Sequence, residues 1–177
     1  ISPVPLRLRR TNHIKTIQAS LAIEGNTLNL DQVTDLFDGK RVMGPKKDIL
    51  EARNALSVYE RIKDFNPLKI EHLLKAHGLL MNDLIEEKGK WRLGEVGIVK
   101  GKAVSHAAPP AKRVPLLMQD LFHFLKKNQE IPWLLKACIF HYELEFIHPF
   151  ADGNGRMGRL WQQLLLMKED PLFEFIP

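Results

Sequence analysis

The chemistry of this chain is concentrated in His148-Pro-Phe-Ala-Asp-Gly-Asn-Gly-Arg-Met-Gly-Arg159. His148 can accept a proton near neutral pH. Asp152 offers a hard carboxylate oxygen, the ligand type Mg²⁺ accepts while it also holds substrate phosphates. Gly153, Asn154 and Gly155 would lie at the N-terminus of the helix that follows, where free amides and the positive dipole end receive anions. Arg156 and Arg159 are one turn apart, so two forked, permanently charged donors share a face beside that anion. A base, a metal carboxylate, an amide cradle and two arginines together are the requirements for transferring a phosphorus-centred group to a hydroxyl.

The elements on either side must position this stretch. Pro149 cannot continue a helix that ends at His148, and Gly153 and Gly155 let backbone approach a ligand closely. Arg156 to Met167 reads as a helix. Upstream, Pro132 opens another, with Leu135, Ile139, Tyr142 and Phe146 on one face running toward His148, and these two are expected to form the central, most buried pair. Near the start, Thr11 or Asn12 can cap a helix carrying Ile14, Ile17 and Leu21, and Gly25 supplies a stop. Glu24 at its end opposes the helix dipole and calls for a cationic partner. Further helices are expected from Asp31 to Phe37, from Lys46 to Phe65, from Ile70 to Leu84 and from Val114 to Leu125, with His77 as a structural core residue. Between Gly89 and Pro110 the pattern changes: Trp91 to Val99 and Ala103 to His106 flank Lys100-Gly101-Lys102 and read as a β-hairpin. It has no sheet to join, so its edge is left to pair with something else.

At these residues the chain resembles the Fic family, whose signature H-P-F-x-D-G-N-G-R-x-x-R is matched at every specified position from 148 to 159. A second Fic signature, [S/T]-x-x-x-E-[G/N], resembles Ser20-Leu-Ala-Ile-Glu24-Gly25-Asn26 and marks an inhibitory helix and motif over 12–26. The resemblance implies an all-α, Fic-like helical bundle with a small β-hairpin flap over the active site, a single domain over 1–177 with the flap at 89–110. It implies a protein adenylyltransferase that moves AMP from ATP to a target hydroxyl, with His148 as general base, Asp152 on Mg²⁺, Gly153, Asn154 and Gly155 as anion hole, and Arg156 and Arg159 on the phosphates. In the same reading Glu24 pairs with Arg159 and restrains the enzyme, and the flap, with Gly89 to Arg92 and Pro109-Pro110 as shoulders, docks the target segment. The family also includes transfer of UMP, phosphocholine or phosphate, removal of AMP, and self-modification. Gly155 favours AMP transfer. The target, the base preference and the oligomeric state are left open.

Composition bounds the alternatives. A chain of 177 residues with 45% hydrophobic content suffices for one core. Its +5 charge comes from short basic pairs such as Lys46-Lys47 and Lys126-Lys127, not a block, which argues against a nucleic-acid surface. Cys138 is the lone cysteine, so no intrachain disulfide or cysteine zinc site can form, and a reducing cytoplasm is expected. No apolar run reaches the ~20 residues needed to span a bilayer. Ile1 to Pro5 resembles no signal peptide, and a start at Ile is expected of a domain excised from a longer chain. Two rivals remain: a zinc hydrolase using His141, Glu145 and His148, which leaves the Gly-Asn-Gly turn and both arginines unexplained, and a nucleotide-binding module without catalysis, which requires neither His148 nor Asp152.

Overall fold

The computed structural model describes residues 6–100, 103–127 and 130–176, so Ile1 to Pro5 and the centre of the hairpin turn lie outside the described residues. Seven α-helices are seen among them: α1 Leu6–Ile23, α2 Leu30–Phe37, α3 Lys46–Glu60, α4 Ile70–Leu80, α5 Val114–Lys127, α6 Trp133–Ile147 and α7 Asn154–Leu166. The expected all-α class holds, and two short strands interrupt it, β1 Gly97–Lys100 and β2 Ala103–Ala107. They pair antiparallel, with Gly97 opposite Ala107 and Lys100 opposite Ala103, and a bulge between Ile98 and Val99. β1 begins later than the expected Trp91, because the residues before it are committed elsewhere. Trp91 packs on Phe150 at 5.3 Å, and Arg92 hydrogen-bonds to carbonyls of the loop after α6.

Several boundaries differ from the sequence reading. α1 starts at Leu6, before Thr11 and Asn12, and the Thr11 hydroxyl donates back to Arg7 O at 2.9 Å inside the helix instead of capping it. α2 is capped by Asn29, not Asp31: Asn29 Oδ1 accepts from Gln32 N and Gln32 Oε1 accepts from Asn29 N, each at 2.9 Å, a reciprocal capping box. α3 ends at Glu60, and a 3₁₀ turn, Ile62–Asp64, then lets both Ile62 and Phe65 reach the core. α4 stops at Leu80, before Asp83 at φ 57° turns the chain the other way.

α6 is the largest correction. Leu135, Ile139, Tyr142 and Phe146 are 53%, 38%, 66% and 42% exposed, so the face expected inside looks outward. The buried face is Lys136, Ala137, Phe140, Leu144 and Ile147. α6 carries apolar residues along two candidate stripes, and periodicity cannot choose between them. Lys136 fits on the buried face because its stem is apolar and its Nζ reaches Leu125 O at 3.3 Å, a last-turn carbonyl of α5, and lies over the Trp133 ring at 4.5 Å. α7 is buried as expected, around Trp161, whose indole N–H donates to Pro67 O at 3.2 Å.

Candidate functional site

The loop between α6 and α7 is built from backbone angles that few residues adopt. His148 closes α6 in the left-handed region at φ 50°, ψ 61°, and Gly153 at φ 84° precedes Asn154, the first residue of α7. A non-glycine residue at positive φ is held there by its surroundings. A side chain at Gly153 would also meet Met81 Sδ at 2.7 Å. The Asn154 side chain is buried and staples the loop: Oδ1 accepts from Phe150 N and Nδ2 donates to Phe150 O, both at 2.9 Å. The Asn154 side chain is thereby committed to the loop, and its backbone N–H, in the first turn of α7, has no partner within the helix. α7 begins at Asn154, not Arg156, which puts the amides after Gly153 in its free first turn.

His77 holds the same loop from below, and it is the structural core residue expected. Its ring is fully buried and stacks on Phe150, centroids 3.7 Å apart and 8° between planes. Burial lowers its pKa to about 4, so the imidazole is neutral. Nδ1 accepts from Gly89 N at 2.8 Å, which leaves the Nε2 hydrogen to donate to Asp152 O at 3.0 Å. His77→Phe should keep the stack and lose both bonds. Two part-buried backbone groups would then lose their partners, at up to about 1 kcal/mol each, and we expect a denaturation midpoint below that of the parent; an unchanged midpoint would mean that the ring serves only as packing.

Asp152 is half exposed, its Oδ1 accepting from Gly153 N at 2.6 Å and from Arg156 NH2 at 3.3 Å. No hydrogen bond among the described residues engages its other oxygen. Arg156 is buried, and NH1 lies 3.3 Å from Glu51 Oε1 while making no hydrogen bond among the described residues; Nε is likewise unpartnered. Glu51 thus balances the guanidinium charge and leaves N–H groups free. Its other oxygen accepts from Asn26 Nδ2 at 2.9 Å, which ties the turn after α1 to Arg156. Sequence reasoning missed Glu51, although it stands one turn before Ala55 and two before Val58 on the buried face of α3.

Arg159 is engaged by α1. Nε donates to Ser20 Oγ at 2.9 Å, and NH2 donates to Ser20 O at 3.0 Å and to Glu24 Oε1 at 2.7 Å. The cationic partner expected for Glu24 is therefore Arg159, through one nitrogen and not a two-pronged fork, because Ser20 takes the other position. Glu24 is aimed by the end of α1: Gly25 N bonds to Ala22 O at 3.0 Å and Asn26 N to Leu21 O at 3.2 Å, with Gly25 at φ 84°. This is the paired pattern of a helix closed by a left-handed glycine. The carboxylate lies so close over Gly155 that a methyl there would collide with it.

Across the cleft, Gly158 makes room for α6: a methyl would meet Glu145 Oε1 at 2.6 Å and the His141 ring at 3.3 Å. Burial raises the Glu145 carboxyl above its ordinary range, against the pull of His141, His148 and Arg159. The zinc reading of His141, Glu145 and His148 finds no support, since no group of three or more such side chains is arranged to hold a metal among the described residues. Among those residues no helix is long and apolar enough to cross a membrane.

Comparison with known proteins gives this geometry a context. Residues 67–166 match the Fic/DOC family. A protein adenylyltransferase Fic from Nematostella vectensis is 32% identical over an alignment covering 88% of this chain and 38% of that protein. A crystal structure of a Fic family protein from Desulfovibrio desulfuricans G20 superposes with TM-score 0.91 at 56% identity, over 97% of this chain and 52% of that one. Fic-1 from C. elegans, at 23% identity and TM-score 0.80, shares the fold. The chain thus spans 38% of the length of the first of these relatives and about half of the two solved chains.

Proposed function

This chain belongs to the Fic/DOC family, and from that premise we propose that it is a protein adenylyltransferase, moving AMP from ATP to a hydroxyl of a target protein under restraint by its own Glu24. The target oxygen attacks the α-phosphorus, the bond to the β-phosphate breaks, pyrophosphate leaves, and the hydroxyl proton passes to His148. Asn154 and Gly155 present backbone amides to the phosphates, while the Gly153 N–H is engaged by Asp152 Oδ1 and Gly153 supplies the turn, and Arg156 and Arg159 add charge on the same helix. Asp152 fits a Mg²⁺ ion, since an exposed carboxylate with one oxygen unengaged, beside a phosphate cradle, is what that ion accepts. When bound, the ion would neutralise phosphate charge. Residues 1–177 act as one domain in this reading, in a reducing, cytoplasmic setting.

The observation that carries the reading is the convergence on one helix start of His148, Asp152, free amides and two arginines, one already gripping an internal carboxylate. The hairpin takes the part of a flap: two strands with no further sheet partner among the described residues offer an edge along which an extended target segment can add. Incubation of the chain carrying Glu24→Gly with Mg²⁺, a cell extract and ATP labelled at either the α or the γ position tests the reading. Label from the α position should stay with protein and label from the γ position should not. Retention of γ label would make the reaction phosphate transfer, and retention of neither would leave a nucleotide-binding module.

A further inference from the structure

We propose that Arg92 is a positioning residue for the transfer reaction, a single guanidinium that fixes the base and the feet of the hairpin relative to each other. The inference rests on the reading of His148 as base and of the hairpin as the target's docking edge. Arg92 is 3% exposed, and its backbone N–H and all three guanidinium nitrogens donate to main-chain carbonyls. On the catalytic loop, Nε reaches His148 O at 2.7 Å, NH2 reaches Ile147 O at 3.3 Å, and the backbone N–H reaches Pro149 O at 2.9 Å. On the hairpin side, NH1 reaches Gly94 O at 2.8 Å and NH2 bonds Pro109 O. Gly94 lies three residues before β1 and Pro109 two residues after β2. The group therefore joins both feet of the ladder to the end of α6.

Each half of this arrangement bears on the chemistry. A cation on the last carbonyls of α6 satisfies acceptors the helix cannot satisfy itself. It also fixes the peptide plane after His148, and with it the left-handed φ and ψ that set the direction of the Cα–Cβ bond and so of the imidazole. The other edge of the same plane fixes the hairpin. A hydroxyl on a segment lying along that hairpin must meet the base while in line with the α-phosphorus, and a misplacement of about 1 Å can cost ~10²-fold. Lysine cannot replace the fork, since one ammonium on a flexible stem does not span two sets of carbonyls in a fixed plane.

The test places Arg92→Lys and Arg92→Ala in the chain carrying Glu24→Gly and measures three things: ATP affinity by calorimetry, AMP transfer from α-labelled ATP, and amide hydrogen exchange. We expect ATP affinity within about threefold of the parent and transfer lower by ~10²-fold in both variants. Exchange should quicken together at Gly94 to Val96, Ala108 and Ile147 to Asp152, and not in α3 or α5. Millimolar methylguanidinium should restore part of the transfer in Arg92→Ala and none in Arg92→Lys. Transfer within about threefold of the parent in either folded variant would overturn the proposal, and so would exchange quickened throughout the helices, which would make Arg92 general scaffold. A parent that moves no label to protein would instead remove the transferase reading, and the exchange pattern alone would then decide whether the guanidinium joins the two segments.

Discussion

Replacing His148 with Ala is expected to lower AMP transfer by about 10²–10⁴-fold, the range of a general base, while ATP still binds with Mg²⁺. The expectation follows from where the ring hangs. A serine, threonine or tyrosine hydroxyl is a poor nucleophile until its proton is accepted as the new phosphorus–oxygen bond forms. His148 is an ionisable side chain on the loop directly before α7, and its backbone is held at φ 50° between α6 and a proline that cannot extend the helix. Its Nδ1 is buried with no hydrogen-bond partner among the described residues. In the proposed reading the phosphates are held by other atoms: the amides opening α7, Arg156 and Arg159. His148→Ala should therefore separate chemistry from binding, with calorimetry showing ATP affinity near that of the parent and label transfer from α-labelled ATP showing the loss. Undiminished transfer by a folded variant would remove His148 as base.

Local features of this fold were legible in the pattern of residues; of the side-chain partners, the Glu24–Arg159 pair was expected only through the family resemblance, and the structure bears it out. The glycines and proline between 148 and 155 announced a loop before a helix start, since few other residues take those backbone angles. Gly25 announced the end of α1 for the same reason, and the glutamate before it needed a cation because of its place on the helix dipole. That the cation is Arg159, from the other end of the chain, follows from α1 packing against α7, which local pattern alone does not encode. Glu51 escaped notice, and Arg92 was placed only as part of a flap shoulder, because a charged side chain reads as surface until its buried partners are known; both are under 10% exposed, and both serve groups far away in sequence. α6 misled in the opposite direction. Its apolar residues run all round, so the sequence offered a stripe without telling which side the core would take, and Tyr142 and Phe146 stack outside, 6.4 Å apart.

Glu24→Gly is expected to raise AMP transfer by roughly 10²-fold, the scale of a misplaced reacting group, with little change in thermal stability. The two parts of that expectation have separate causes. α1 is held down by Ile14, Ile17 and Leu21, which are 3%, 0% and 2% exposed, and by the two bonds from Arg159 to Ser20. None of these needs the Glu24 carboxylate. The side chains of the Glu24–Arg159 pair are 36% and 24% exposed, and partly exposed pairs contribute only about 0–1 kcal/mol. The carboxylate takes an N–H of Arg159 and covers Gly155, and in the proposed restraint it acts by occupying these two places, which a phosphate would need. On the proposed mechanism, ATP that enters beside it would not seat its γ-phosphate on Arg159, and the α-phosphorus would stay out of line with the attacking hydroxyl. Removing the carboxylate frees both places while α1 stays docked. Combining Glu24→Gly with Arg159→Ala should lose most of the gain if, as proposed, the freed arginine seats the γ-phosphate. Label transfer by the parent, Glu24→Gly and the double variant at matched concentrations checks this, together with their melting temperatures. A parent as active as Glu24→Gly would reduce α1 to scaffold. A double variant as active as the single one would show that the carboxylate inhibits through the space over Gly155 alone.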